Sequence, residues 1–123
     1  MKIYLSANII GVRDVKKASK WYSDIFNMKL IELKPPYYCE MKLGEAYFLI
    51  EKHSPERSIG FQEIPTGVRV SAIIGVDDIK SFIKKVKSKR VKVINNPVQQ
   101  EWGGWNAIIQ DPDGNEFIID QDK

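Results

Sequence analysis

The chain carries one stretch twice. Residues 7–31 read ANIIGVRDVKKASKWYSDIFNMKLI, and residues 71–94 read SAIIGVDDIKSFIKKVKSKRVKVI. At a spacing of 64 residues, Ile9-Ile10-Gly11-Val12 falls on Ile73-Ile74-Gly75-Val76, Asp14 on Asp78, and Val15-Lys16 on Ile79-Lys80. One residue is lost before Val93-Ile94, which answers Leu30-Ile31. Self-similarity at a fixed offset means that one supersecondary unit has been used again. Here that unit begins with a strand followed by a helix.

Residues 2–12 are β-branched and apolar, and Gly11 breaks the run before Asp14. Asp14 is suited to a helix N-cap, because its carboxylate can accept from the orphan amides of the first turn. Val15, Ala18, Tyr22, Ile25 and Phe26 then recur near the helical period as one buried stripe, with Lys16, Lys17, Lys20 and Asp24 largely outside it. Asn27 tolerates the left-handed conformation of a helix end. Strands are expected at 29–33, 37–43 and 46–51, with Pro35-Pro36 as a stiff break and Gly44 at a tight turn.

The first unit, residues 1–52, is therefore β-α-β-β-β, and 53–67, aperiodic and scattered with Pro, Ser and Gly, reads as a linker. The second unit, 68–123, repeats the order: a strand at 68–76, the N-cap Asp78, and a helix with Ile79, Phe82, Ile83 and Val86 on one face. A strand at 91–94 follows, Pro97 breaks the chain, and a hairpin with arms 106–110 and 115–120 turns through Asp111-Pro112-Asp113-Gly114. Pro fits the second position of a type I turn, and Gly supplies positive φ for the return strand. The expectation is a single α+β domain of two tandem βαβββ units.

At 123 residues, 43% of them hydrophobic, the chain can bury a real core. No apolar run is long enough to span a bilayer, and the N-terminus lacks a secretory pattern, so no membrane partner is expected. A single cysteine, Cys39, forms no internal disulfide and fits a reducing, cytoplasmic setting. The net charge of +3 is too mild to argue for nucleic acid. Lys80, Lys84, Lys85, Lys87, Lys89, Arg90 and Lys92 crowd the second helix and the strand after it. With no aromatic residues interleaved to stack bases, they read as the solvated face of an amphipathic helix.

A duplicated βαβββ unit, its helices entered through Val-Arg-Asp and Val-Asp-Asp, resembles the vicinal oxygen chelate superfamily of glyoxalase I, extradiol dioxygenases and bleomycin-resistance proteins. The resemblance rests on IIGVRDVKKASKWYSDIFNMKL near the start and EWGGWNAIIQDPDGNEFIID at the end, with DPDGN its most specific piece. It covers essentially the whole chain. It implies that the two sheets form a partial barrel around a central cleft with the helices outside, and that the chain is a homodimer or exchanges units between copies.

The metalloenzymes of that superfamily hold one divalent metal with two side chains from each unit. One ligand lies seven residues before the helix-opening Asp, which is Ala7 and Ser71 here, and the other four residues after the turn glycine, which is Phe48 and Ile118. None of these side chains is a useful ligand. Glu51 and the only histidine, His53, offer two donors and no third. The resemblance therefore points to a metal-less branch with no cofactor, similar to bleomycin-resistance-type binding proteins.

Strand alternation extends these positions into a cleft lining of Ala7, Ile9, Phe48, Ile50, Ser71, Ile73 and Ile118, with Tyr47, Leu49, Phe117 and Ile119 pointing towards the helices. Pairing across the last hairpin adds Trp105 and Ala107 to the Ile118 face, and Trp102 with Gly103-Gly104 precedes them. Two tryptophans about a Gly-Gly step can clamp a flat molecule, although Trp105 can equally be read as core. Glu116 and Asp120 alternate with Ile118 and lie at the rim or in the cleft. Neither Cys39 nor Ser71 has a recognisable base, so no catalytic residue is assigned. The favoured reading is a protein that binds, and so sequesters, a small, partly apolar or aromatic molecule such as a drug or toxin. The alternative is a metal-independent or metal-recruiting lyase, isomerase or dioxygenase-like enzyme of the same superfamily. A regulatory module with no small ligand is a third.

Overall fold

A computed structural model describes residues 1–52 and 65–123. The chain divides into two compact units, Met1–Thr66 and Gly67–Lys123. The first contains β1 (Asn8–Gly11), α1 (Val15–Phe26), β2 (Lys29–Lys34), β3 (Tyr38–Leu43) and β4 (Ala46–Glu51). The second contains β5 (Ala72–Gly75), α2 (Ile79–Ser88), β6 (Lys92–Gln99), β7 (Trp105–Gln110) and β8 (Glu116–Gln121). Strand orders are β1-β4-β3-β2 and β5-β8-β7-β6, so the two units share one topology. The architecture is α+β, and the repeat is carried into structure: β1 and β5 begin 64 residues apart, as do α1 and α2.

Both helices start as their sequences require. The Asp14 carboxylate accepts from the Lys17 N–H at 3.0 Å. Asp78 accepts from the Ser81 N–H at 3.1 Å and from the Ser81 hydroxyl at 2.8 Å. These bonds hold the Asp78 carboxyl below its ordinary value, the Ser81 amide being the largest cause, its hydroxyl the next, and the Lys80 charge contributing further. Asn27 ends α1 at φ 56°, in the left-handed region.

In each unit the helix covers one face of its own sheet. Val15, Ala18, Tyr22, Ile25 and Phe26 of α1 are buried, and so are Ile10, Cys39, Met41, Phe48 and Ile50 of the strands. In the second unit Ile79, Ile83 and Val86 are buried with Ile74, Ala107, Ile109, Phe117 and Ile119. Burial in the dry core pushes the Cys39 thiol up to about 11.

Three expectations about the strands are corrected. The run 2–12 supplies a strand only over Asn8–Gly11, because the register with β4 begins at Asn8↔Phe48, and the residues before it lie outside the sheet with Ile3 and Leu5 exposed. The run 68–76 likewise narrows to Ala72–Gly75. Pro97, expected to break the chain, instead lies inside β6. Pro cannot donate to a ladder, and it is tolerated here because β6 is an edge strand whose register shifts between Asn95 and Val98. The expected linker 53–67 falls largely outside the described residues.

Candidate functional site

The face of the second sheet turned away from α2 is set by the hairpin β7–β8. Its closing pair is Gln110↔Glu116, across a five-residue connection, Asp111 to Asn115. Pairing therefore joins even-numbered residues to even-numbered ones: Ile108↔Ile118 and Asn106↔Asp120 share the helix-free face with Gln110↔Glu116. The parallel pair Ile73↔Ile118 extends the row onto β5. An apolar strip of Ile73, Ile118 and Ile108 is thus flanked by two polar pairs. On one side Gln110 Nε2 donates to Glu116 Oε2 at 3.1 Å. On the other, Asn106 faces two acceptors, which assigns its amide nitrogen to that side; so oriented, it donates to Asp120 Oδ1 at 2.8 Å and to the Trp105 carbonyl at 2.9 Å.

Over this strip lies a cavity of about 310 Å³, lined by Asn95, Asn96, Val98, Gln100, Asn106, Ala107, Ile108 and Ile118. The β6 irregularity helps to shape it, because the Asn95–Val98 segment departs from regular pairing beside Ile108 and Asn106. No lining side chain carries a charge. The polar ones are carboxamides, which can both donate and accept. Such a wall suits a flat, mainly apolar body with polar groups on its edge.

Of the residues expected to line a cleft, Ile118 does line this cavity, and Ile73, 64% exposed, continues its apolar strip on β5. Ser71 precedes β5, with its N–H donating to the Glu116 carbonyl at 2.8 Å. In the first unit Ile9, 54% exposed, pairs with Leu49 on the helix-free face, while Ala7 precedes β1 and lies outside the sheet.

The expected facing of Phe48 and Ile50 is overturned. Phe48 pairs with Asn8 and Met41, Ile50 with Ile10 and Cys39, and both are buried on the α1 side. Leu49 and Tyr47 take the other face. The reason is a slip of one residue: Gly44 belongs to a two-residue turn closed by Leu43↔Ala46, so counting four residues from it does not reach the position that the same count reaches from Gly114. One residue of slip turns a strand over. The partner of Ile9 is Leu49, as the partner of Ile73 is Ile118.

The facing of Trp105 and Ala107 is also corrected, although Ala107 still borders the cavity. They pair with Gln121 and Ile119 on the α2 side, where Ala107 is buried and the Lys80 ammonium sits 4.4 Å from the centre of the Trp105 ring. Trp102 is half-exposed and folds back on its own turn, its ring so close over Gly104 that any side chain there would collide with it. Gly103, at φ +98°, makes the turn possible, and the Gln100 N–H closes it on the Gly104 carbonyl at 2.7 Å. Neither tryptophan lines the cavity. Asn95, Asn96, Val98, Gln100, Asn106 and Ile108, which do, are not among the residues expected from the sequence. The parity of the five-residue connection was the signal that would have found Asn106 and Ile108.

A family model described as "Glyoxalase/Bleomycin resistance protein/Dioxygenase superfamily" matches residues 5–119. The chain belongs to this superfamily. Solved structures agree at the level of fold. TioX from Micromonospora sp. ML1 is 13% identical with a TM-score of 0.78, the match covering 95% of this chain and 98% of that one. Lactoylglutathione lyase from Agrobacterium tumefaciens is 15% identical at TM-score 0.78, covering 96% and 92%. A glyoxalase/bleomycin resistance protein/dioxygenase family enzyme from Burkholderia phytofirmans PsJN is 19% identical at TM-score 0.80, covering 94% and 96%. A comparison with curated proteins finds no match.

The superfamily implies a divalent metal, and the donor set does not fit one. The positions in question carry Ala7, Ser71 and Ile118, with Leu49 rather than Phe48 in the corrected register. Among the described residues no group of three or more His, Cys, Asp or Glu side chains could hold an ion. His53, proposed with Glu51 as a donor pair, lies outside the described residues. Also among the described residues, no helix is long and apolar enough to cross a membrane.

Proposed function

We propose that this superfamily member binds a small, partly apolar or aromatic molecule on the helix-free face of its second sheet, and that it acts by sequestration, as for a drug or toxin. The observation that carries this reading is the uncharged cavity of about 310 Å³ over Ile108 and Ile118. Its volume is near the lower end for small-molecule sites, enough for a body of one to three rings. Covering about 150 Å² of apolar surface at about 25 cal/mol per Å² contributes roughly 4 kcal/mol before the costs of association. Taken alone that corresponds to a Kd of about 1 mM, and hydrogen bonds from the carboxamide wall to the edge of the ligand add to it. Among the described residues the donor set weighs against the metal-recruiting form of the enzymatic alternative only.

The same reading has a homodimer in the cytoplasm, without nucleic-acid or membrane partners. Its support is the lone free Cys39, the mild net charge, and the apolar surface that Ile9 and Ile73 leave for a second copy to cover. Titration with the neutral dye N-phenyl-1-naphthylamine tests the binding site. Saturable enhancement of the dye's fluorescence, abolished by Ile118→Glu in a protein that still melts cooperatively, is expected. A folded wild type that gives no saturable signal with this or other neutral aromatic probes would remove the proposal.

A further inference from the structure

The Asn106 amide is held in one orientation. Both of its N–H groups are committed inside the protein, one to Asp120 Oδ1 at 2.8 Å and one to the Trp105 carbonyl at 2.9 Å. An amide whose two donors are used has one function left, its carbonyl oxygen, which can only accept. Asn106 is also a lining residue of the cavity, between the apolar strip of Ile108 and Ile118 and the irregular segment of β6. From this geometry we propose that Asn106 reads a hydrogen-bond donor on the ligand, an N–H or NH2 on the edge of a flat, neutral aromatic or heteroaromatic body. Asp120 is the positioning residue that fixes which way the amide points. This inference rests on the binding reading above and narrows it to a chemical class: arylamines, amino-heterocycles and ring N–H or lactam groups.

Two features of the wall agree. Gln100 also spends a donor within the protein, its Nε2 bonding to the Val98 carbonyl at 3.3 Å, and it keeps its own carbonyl as a second acceptor. The lining offers no charged group to pair with an ionised ligand, and burying an unpaired charge is costly. The Asp120 carboxylate behind Asn106 polarises the amide in the direction that makes its carbonyl a better acceptor. An acceptor-only edge in the same place would face the Asn106 oxygen across two lone pairs, with no proton between them. Selectivity of this kind arises because a buried polar group left without its partner is penalised more than a made bond is rewarded.

The test compares two probes of one shape, 6-aminoquinoline and 6-methylquinoline, both neutral at pH 8. Each is titrated into the full chain by its own fluorescence or by calorimetry. The wild type is expected to prefer the amino probe about three- to tenfold, the range of one net hydrogen bond. Asn106→Leu should level the two probes while retaining the methyl one. Asp120→Leu should lose most of the preference, and Asp120→Asn, whose carbonyl can accept the same N–H, should restore it. A purely structural role for Asp120 would lower both affinities together and leave their ratio unchanged. The ratio is read within one protein, so a variant that is less stable still reports it. Equal binding of the two probes by wild type overturns the assignment of Asn106 and leaves the cavity standing as a site. Binding of neither probe overturns both readings.

Discussion

Asp111 and Asn115 lock the last hairpin against the start of the second unit. Asp111 Oδ1 accepts from the Asp113 and Asn115 backbone amides at 2.9 and 2.8 Å, and Oδ2 accepts from Asn115 Nδ2 at 2.9 Å. The Asn115 side-chain oxygen then accepts from the Val68 N–H at 3.0 Å. Both side chains are buried. The turn that made DPDGN recognisable is therefore a polar clamp, and it also fixes the length of the connection that gives β7 and β8 their parity. Asn115→Ala leaves a buried carboxylate oxygen and the Val68 amide without this partner. An unpaired buried group costs about 1–3 kcal/mol, and Val68 itself is exposed, so a loss of roughly 1–3 kcal/mol is expected in urea denaturation. A change below about 0.5 kcal/mol would mean that water replaces the amide.

Each helix cap makes a contribution that can be measured. Asp14→Ala removes the bond to the Lys17 amide and should lower stability by about 1 kcal/mol, as lost caps do. Asp78 has a depressed pKa. Its contribution is complete above the unfolded-state value near 3.9 and is lost as pH falls through the lower folded value, since protons then bind the unfolded chain first. Acid titration of wild type against Asp78→Asn, followed by circular dichroism, should show the wild type's advantage shrinking only below about pH 4. An advantage that fades between pH 5 and 7 would assign it to another group.

Much of the fold was open to reading because the signals were local or repeated. The offset of 64 residues, the two Asp caps and the stripe from Val15 to Phe26 each depend on neighbours in sequence, and each matches the structure. The facing of β4 and β7 depends on something else, the number of residues each turn removes from pairing. Gly44 and Gly114 look alike as turn glycines, at φ +58° and +86°, but one serves a two-residue loop and the other a five-residue loop. Hydrophobicity could not correct the slip, because β4 reads Ala-Tyr-Phe-Leu-Ile-Glu and is apolar on both faces. For the same reason the expected cleft centres on tryptophans, whereas the cavity is walled by the carboxamides of β6 and β7. Asn95-Asn96-Pro97 reads as a break, and only the edge position of β6 makes it a wall.

Cys39 should be chemically silent in the native protein. It is fully buried on β3, beside Ile50 and facing α1, and its thiol is pushed up to about 11. Only the thiolate reacts with disulfide reagents. At pH 8 Ellman's reagent should therefore titrate one thiol after denaturation and essentially none before. The linkage runs the opposite way to that of Asp78: this contribution is present below the unfolded thiol value, near 8.5–9, and is lost as pH rises through the folded one. Rapid native labelling at pH 8 would show that β3 opens locally or that the thiol faces solvent.

The strongest consequence of the corrected register is a contrast between Phe48 and Trp105. Phe48 sits in the α1 core at 3% exposure, paired with Met41 and Asn8. Phe48→Ala should cost about 3–5 kcal/mol of folding stability, the usual range for an aromatic side chain removed from a packed core. Trp105 is half-buried on the α2 side, with the Lys80 ammonium 4.4 Å from its ring centre. A cation over an indole at a partly exposed site is worth about 0.5–1 kcal/mol, and the ring also buries apolar area. Trp105→Ala should therefore cost about 1–3 kcal/mol, and Lys80→Met only the smaller part of that. In a double-mutant cycle the two changes should couple by about 0.5–1 kcal/mol, because each removes the same contact. Binding of N-phenyl-1-naphthylamine should be unchanged in Lys80→Met and in Trp105→Ala, since neither residue lines the cavity. A loss of dye affinity in Trp105→Ala with no loss of stability would place that ring on the Ile118 face and return the hairpin to the register first expected of it.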